Sequence, residues 1–247
     1  MARRATKIAQ TRQGGGFVLL LDAGDSLTGD ADPALKTQGQ SSVTAMNMLG
    51  YDAMALGPQD LALGLAVLQQ RMAEASFAVL STNAVVSATG ELLATPYVIR
   101  EFGGRKVAIV GLSGGSGTAE IAARDPLKTT QAIVAQLASQ ADAVILLSHA
   151  GETVDQKIAD AVPGTALIVS SGPFALAMPW RSEKTGTFII HADEAQPGHA
   201  GRRIGIATLT FEPSDKMGLP NWQRVDLGTE IADDPAMAEW VKKQLGW

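Results

Sequence analysis

Phe17-Val18-Leu19-Leu20-Leu21-Asp22-Ala23-Gly24-Asp25-Ser26-Leu27-Thr28-Gly29 is the stretch on which the fold turns. Five consecutive apolar residues, flanked by glycines, read as a short strand buried on both faces. Periodicity alone leaves a buried helix segment open. The run delivers one carboxylate, Asp25, to the point where the strand stops. In layered α/β proteins that edge is where ligands and metals sit. Asp22 and Asp25 have a plainer reading too, as caps of a turn or of the next helix.

Outward from this stretch the chain alternates. Residues 2–13 place Ala5, Ile8 and Ala9 on one helical face, and Gly14-Gly15-Gly16 ends that helix. Asp30 to Gln40 reads as loop, Ser41 to Leu49 as helix, and Gly50 as its stop. Strands are predicted over 51–57, 78–83, 143–149 and 166–172, with helices over 65–75, 126–140 and 153–161. Tyr97–Phe102 and Lys106–Leu112 form a hairpin signal around Gly103-Gly104. Phe188–His191 and Arg203–Phe211 are expected to close the fold as an antiparallel pair, and Ala236–Leu245 as an amphipathic helix. Such alternation predicts α/β layers with mixed sheets in a single domain over 1–247.

Composition narrows the chemistry. The chain has 247 residues, 46% of them hydrophobic but only 5% aromatic, so aliphatic side chains must build the core. It has no cysteine, which excludes disulfides, thiolate zinc sites and a cysteine nucleophile. With a net charge of −5, no basic tract is long enough for a nucleic-acid surface. Arg3, Arg4, Lys7 and Arg12 fall at the spacing of a solvated helix face. No stretch approaches the roughly 18 apolar residues of a membrane span. Ala5–Gln13 is too polar for a signal peptide, and the compartment stays open.

The order of segments resembles the metallophosphoesterase domain of the 5′-nucleotidase family. The resemblance is carried by LLLDAGDSLTGD (19–30), MNMLGYDAMALGPQDLALG (46–64), FAVLSTNA (77–84), TPYVIREFGGRKVAIVGL (95–112) and ADAVILLSHAGETVDQKIADAVPGTALIVSSG (141–172), and it covers residues 2–212. Residues 213–247 read as a C-terminal tail with a helix. The resemblance implies a four-layer α/β/β/α sandwich with two metal ions at the C-terminal ends of the strands. Such ions clamp a phosphate ester and activate water for in-line attack. A His-Asp pair beside them stabilises the transition state.

Carried over position by position, most of that site is absent. The bridging aspartate is retained as Asp25, and the histidine after a later strand as His149. Both are the metal ligands that the resemblance leaves. The family segment Gly-Asn-His-Glu-Phe-Asp stands here as Gly57-Pro58-Gln59-Asp60-Leu61-Ala62. Pro58 replaces a metal-binding Asn and offers no ligand atom. Gln59 and Ala62 replace the catalytic His-Asp pair, which leaves no catalytic residue. The Gly-His-x-His motif is replaced by Ser171-Gly172-Pro173-Phe174. The chain is expected to begin after the family's first strand, which carries an Asp-x-His pair. Even a catalytic zinc keeps three protein ligands, so no cofactor is expected. An active protein would need a divalent ion, Mn, Zn, Mg or Fe.

The remaining features have bland readings. Gly111-Leu112-Ser113-Gly114-Gly115-Ser116-Gly117 follows a strand but lacks the Lys-Ser/Thr ending of a phosphate loop, and a flexible loop is expected. Asp52 reads as structural, and Asp60 as a structural residue or a stray ligand. His191 reads as a satisfied or exposed histidine, and His199 as part of a surface turn. Ser26 and Ser148 have no nucleophile elbow. Trp222, Trp240 and Trp247 read as anchors of the tail.

The sequence therefore predicts a degenerate, catalytically impaired 5′-nucleotidase-like domain that binds or scaffolds. The alternative is an active phosphoesterase with an atypical metal site. A gap at the missing strand would be covered by local rearrangement, by a second copy or by a protein partner. A phosphate-containing small molecule is the expected ligand of the old cleft.

Overall fold

The computed structural model describes residues 1–28, 32–172, 176, 178–192, 201–211, 218 and 220–246. His199, Pro173, Phe174 and Trp247 lie outside the described residues. The chain runs α1 (Ala2–Gln13), β1 (Leu21–Asp22), α2 (Asp32–Lys36), α3 (Gln40–Leu49), β2 (Ala53–Ala55), α4 (Pro58–Leu61), α5 (Leu65–Glu74), β3 (Ala78–Leu80) and β4 (Ala84–Val86). It continues through β5 (Tyr97–Phe102), β6 (Arg105–Leu112), β7 (Ile121–Ala123), α6 (Pro126–Leu137), β8 (Ala143–Ser148), α7 (Glu152–Ala161) and β9 (Thr165–Ser170). It ends with β10 (Trp180–Arg181), β11 (Phe188–His191), β12 (Arg203–Thr208), β13 (Asn221–Asp226) and α8 (Pro235–Leu245).

Two sheets face each other. One is parallel, in the order β1-β2-β3; the other has six strands in the order β10-β11-β9-β8-β6-β5. Alternate residues of the same strands enter different cores, as a pleated strand requires. Along β6 and β8, Val107, Ile109, Ile145 and Leu147 point to the core between the sheets, with Ala53, Ala55 and Leu80 opposite. Ala108, Val110, Val144 and Leu146 point the other way, onto Ile133, Leu137 and Ile158 of α6 and α7. Met54 and Leu56 turn from the small sheet toward Ile8, Val43, Leu68 and Met237 on α1, α3, α5 and α8. Three cores thus separate four layers, α/β/β/α. Each fully buried leucine contributes about 2 kcal/mol of transfer free energy to them.

Glycine sets the closest approach of the two sheets. A β-carbon on Gly111 in β6 would stand 2.4 Å from the Leu80 carbonyl oxygen of β3. At the same place Thr82 N–H donates to the Gly111 carbonyl at 2.8 Å.

The structure corrects several expectations. Phe17–Leu20 are not in the ladder, and β1 is only Leu21–Asp22. Leu20 instead exchanges bonds with Asp52, its N–H donating to the carboxylate at 2.8 Å and its carbonyl accepting from the Asp52 N–H at 2.9 Å. Asp52 is thus structural, as expected. The 30–40 segment holds α2, and Gly57-Pro58 starts α4. Proline fits the first helical position because its missing N–H would have no helical partner. The expected closing pair does not form. β11 runs parallel to β9 and antiparallel to β10. β12 pairs instead with β13, which lies within the expected tail. Among the described residues no helix is long and apolar enough to cross a membrane.

Candidate functional site

The C-terminal ends of β1, β2, β6, β8 and β9 meet at one edge of the sandwich. After β1 the chain makes a tight turn. Asp22 accepts from the Gly24 N–H at 2.9 Å and from the Ser26 hydroxyl at 2.7 Å. Desolvation raises the Asp22 pKa despite these bonds. Asp22 therefore has the plain role foreseen for it, holding the turn. Asp25 sits in that turn at φ 61°, a left-handed conformation that Asp tolerates better than most residues.

Asp25 and His149 are brought together. His149 Nε2 lies 3.0 Å from Asp25 Oδ2, with side chains only 8% and 17% exposed. The second carboxylate oxygen of Asp25 accepts the Gln59 N–H at 2.7 Å. His149 Nδ1 lies 3.1 Å from the Ala23 carbonyl. A carbonyl only accepts, so Nδ1 is the donor there. Burial opposes charge on His149, but the Asp25 carboxylate, by hydrogen bond and by charge, and the Ala23 carbonyl outweigh it and raise the pKa. Both ring nitrogens are thus engaged by neighbouring oxygen atoms.

Asp60 is not a stray ligand. It is fully buried, and its oxygens accept three backbone N–H groups: Gly57 at 2.9 Å, Asp25 at 2.8 Å and Leu27 at 3.0 Å. It thereby clamps the turn after β1 to the turn after β2. Burial is the largest influence and pushes its pKa up to about 7, against those hydrogen bonds. Gly57 fits because a β-carbon there would stand 2.1 Å from Asp25 Oδ1. Gln59 and Ala62, at the positions of the implied catalytic pair, are exposed.

The sequence reading missed two supports. Asp155 of α7 is buried beneath the end of β8 and accepts the Ser148 hydroxyl at 2.5 Å and the Ser170 hydroxyl. Burial pushes its pKa up to about 6, although both serines pull it down. The signal was available: Asp155 lies three and four residues before the buried Ile158 and Ala159, on the inner face of its helix. Asn83 is the second. Its amide exchanges bonds with Ser113, receiving the Ser113 N–H at 2.8 Å and donating to the Ser113 carbonyl at 2.9 Å. Ser113 also meets the Ser81 hydroxyl at 2.8 Å. The glycine-rich segment expected to be a flexible loop is therefore anchored at its start. Beside it lies an open hollow of about 270 Å³, lined by Asn83, Ser113, Gly115, Arg124, Asp125 and Val154.

His191 is buried on β11, opposite Ser170 of β9, and is not part of the Asp25–His149 pair. Among the described residues no three His, Cys, Asp or Glu side chains group as metal ligands would. A two-metal centre needs more donors than Asp25 and His149, and these two are bonded to each other. The described residues do not supply the donors of a dinuclear metal site.

No family model matches the chain. Relatives do. A snake venom 5′-nucleotidase from Gloydius brevicauda is 36% identical, over 98% of this chain and 45% of its own length. A 5′-nucleotidase from Vibrio cholerae is 34% identical, over 98% and 53%. The chain spans about half the length of the curated relatives it matches. Among solved structures, the Thermus thermophilus sulfate thiohydrolase SoxB superposes with a TM-score of 0.88 at 25% identity, over 99% of this chain and 46% of that one. A 5′-nucleotidase precursor from Thermus thermophilus superposes with a TM-score of 0.86 at 25% identity, over 99% and 52%.

Proposed function

The chain belongs to the 5′-nucleotidase family of metallophosphoesterases, and from that premise we propose that it is a catalytically impaired member acting as a binding or scaffold domain. One observation carries the reading: the side chains best suited to hold metal, Asp25 and His149, are spent on each other at 3.0 Å. Hydrolysis of a phosphate ester needs an activated water. A metal lowers the pKa of its bound water toward neutrality. Without one, a general base must take the proton. Both ring nitrogens of His149 are engaged, one by the Asp25 carboxylate and one by the Ala23 carbonyl, which leaves neither facing a water to deprotonate. Gln59 and Ala62 supply no imidazole and no carboxylate where the family resemblance puts them.

Binding does not need that machinery. The hollow beside Ser113 adjoins Ala150, next to His149, and has the Asn83 amide, the Ser113 hydroxyl and the Arg124 guanidinium in its lining. We assign the ligand there to phosphate-containing small molecules, bound without turnover. The deciding experiment measures divalent metal after incubation with Mn²⁺ or Zn²⁺ and desalting, and tests the same samples on a panel of nucleotides and phosphate esters. No retained ion and no turnover, with saturable nucleotide binding, is the expected result. About two ions per chain with metal-dependent hydrolysis would overturn the reading, in favour of an active phosphoesterase with an atypical site.

A further inference from the structure

Asp155 lies beneath the turn that joins β8 to α7. Its side chain is fully buried and stands between the last residues of two strands, accepting the Ser148 hydroxyl at 2.5 Å and the Ser170 hydroxyl. Ser148 carries the contact onward, because its side-chain oxygen accepts the Ala150 N–H at 3.2 Å. The N–H groups of Val154 and Asp155 both donate to the Gly151 carbonyl, at 3.0 and 2.9 Å. Ala150 and Val154 line the hollow beside Ser113. The carboxyl group is thus tied to one wall of that hollow through a single serine.

Among the described residues no cation is paired with it. A carboxylate taken out of water without a cation prefers to keep its proton, and two hydroxyl donors offset only part of that cost. β8 and β9 carry no titratable side chain. β11 carries His191, opposite Ser170 in the ladder, and α6 carries Lys128, which is exposed. Glu152 and Lys157 of α7 are exposed too, and Asp160 is bonded to Lys184. His149 of the turn acts on Asp155 by charge, but its ring is bonded to Asp25. Burial prevails over both serines and over His149, and the pKa rises to about 6. The closed turn therefore binds this proton more tightly than any state that wets Asp155. Gly151 leaves the turn room to move: at φ +93° it has nothing within 4 Å of where a β-carbon would stand.

We propose that Asp155 is a proton latch on the β8–α7 turn: with its proton it holds the turn closed as one wall of the hollow, and without it the turn opens more readily to let water reach the carboxylate. Linkage sets the direction. A proton bound more tightly in the closed state favours that state in acid, and the advantage is lost as pH rises from about 4 to about 6. Two pKa units correspond to about a hundredfold change in the opening equilibrium. Control of ligand capture by the latch rests on the hollow being the binding site proposed above, and capture is then stronger in acid. The latch itself needs no ligand.

Hydrogen exchange of the Ala150 and Val154 amides in the full chain, corrected for the intrinsic rate at each pH, tests the latch. Protection is expected to fall about a hundredfold between pH 4 and pH 7 in the parent and to be independent of pH in Asp155→Asn. Ser170→Ala removes a hydroxyl that favours the charged form, and is expected to move the fall to higher pH. Three results would each overturn the proposal: no fall in the parent, an equal fall across the β5–β6 ladder, which is global unfolding, or the same fall in Asp155→Asn, which belongs to His149 or His191. Cyclic AMP, a diester whose charge is constant between pH 5 and pH 7, is expected to bind more tightly at pH 5. No binding at either pH would overturn the hollow as a binding site, while the exchange data decide the latch.

Discussion

His149 Nε2 and Asp25 Oδ2, 3.0 Å apart, join the loop after β1 in one sheet to the end of β8 in the other. The pair therefore acts as a cross-link between the two sheets. Removing one partner leaves the other nearly buried and uncompensated. His149→Gln is expected to lower the unfolding free energy by about 3 kcal/mol, and Asp25→Asn by a similar amount. Asparagine keeps the left-handed turn, whereas Asp25→Ala adds about 1–2 kcal/mol of backbone strain. The double variant Asp25→Asn with His149→Gln is expected to recover part of the loss. Denaturant unfolding of the four variants checks this, and additive losses in the double variant would show that the two side chains act independently.

Asp155 gives the stability a pH dependence. Its folded pKa is raised to about 6, so the folded state holds this proton more tightly than the unfolded chain. Stability from this group is present in acid and is lost as pH rises from about 4 to about 6. The gap from the ordinary carboxylate value is worth roughly 3 kcal/mol. Asp155→Asn has no charge to bury, and the Ser148 and Ser170 hydroxyls can rotate to accept from its amide. It is expected to make the fall between pH 4 and pH 6 shallower, leaving the share that buried Asp60 contributes, and to leave the variant at least as stable as the parent at pH 7. A parallel pH profile for both proteins would show that Asp155 does not titrate in this window.

The layers were legible because burial on two faces writes itself as apolar runs. Val107–Leu112 and Ala143–Ser148 were found close to their true bounds, and so were the helices that follow them. Asp25 and His149 were legible as a pair only through the family resemblance, since 124 positions separate them in the chain. Their direct bond was not, because it depends on which side chains stand around them. Asp60 and Asp155 could not be told from surface acids by type alone; three N–H groups and two serines determine their roles. The pairing of β12 was not legible because Phe188–His191 and Arg203–Phe211 look equally like partners, while β11 is held by β9 and β10.

Gly111 marks where the sheets touch. Its β-carbon would overlap the Leu80 carbonyl, and backbone cannot swing aside as a flexible side chain would. Gly111→Ala is expected to cost about 3 kcal/mol or more and to lower the yield of folded protein. Gly90→Ala is the control. Its site has nothing within 4 Å but a φ of +72°, so strain alone applies, at about 1 kcal/mol. Thermal unfolding separates the two, and equal shifts would mean that the close approach of the sheets is not a constraint.

Restoring the implied catalytic segment alone is expected to fail. Pro58→Asn, Gln59→His and Ala62→Asp together place the family's residue types on or beside α4. Replacing Pro58 gives up the preset φ that proline supplies at the first helical position, a cost of about 0.5–1 kcal/mol. The fold tolerates that. Asp25 and His149 would still be bonded to each other, and Ser171-Gly172 would still supply no imidazole. Gly172 has a φ of +130°, so even a histidine placed there would be strained. The triple variant is expected to stay folded, to retain no Mn²⁺ or Zn²⁺ after desalting and to release no phosphate from nucleotides. Elemental analysis and a phosphate-release assay on the same sample check it. Metal-dependent turnover in this variant would show that the Asp25–His149 bond opens readily enough to surrender both ligands, and that the lost helix residues alone had silenced the site.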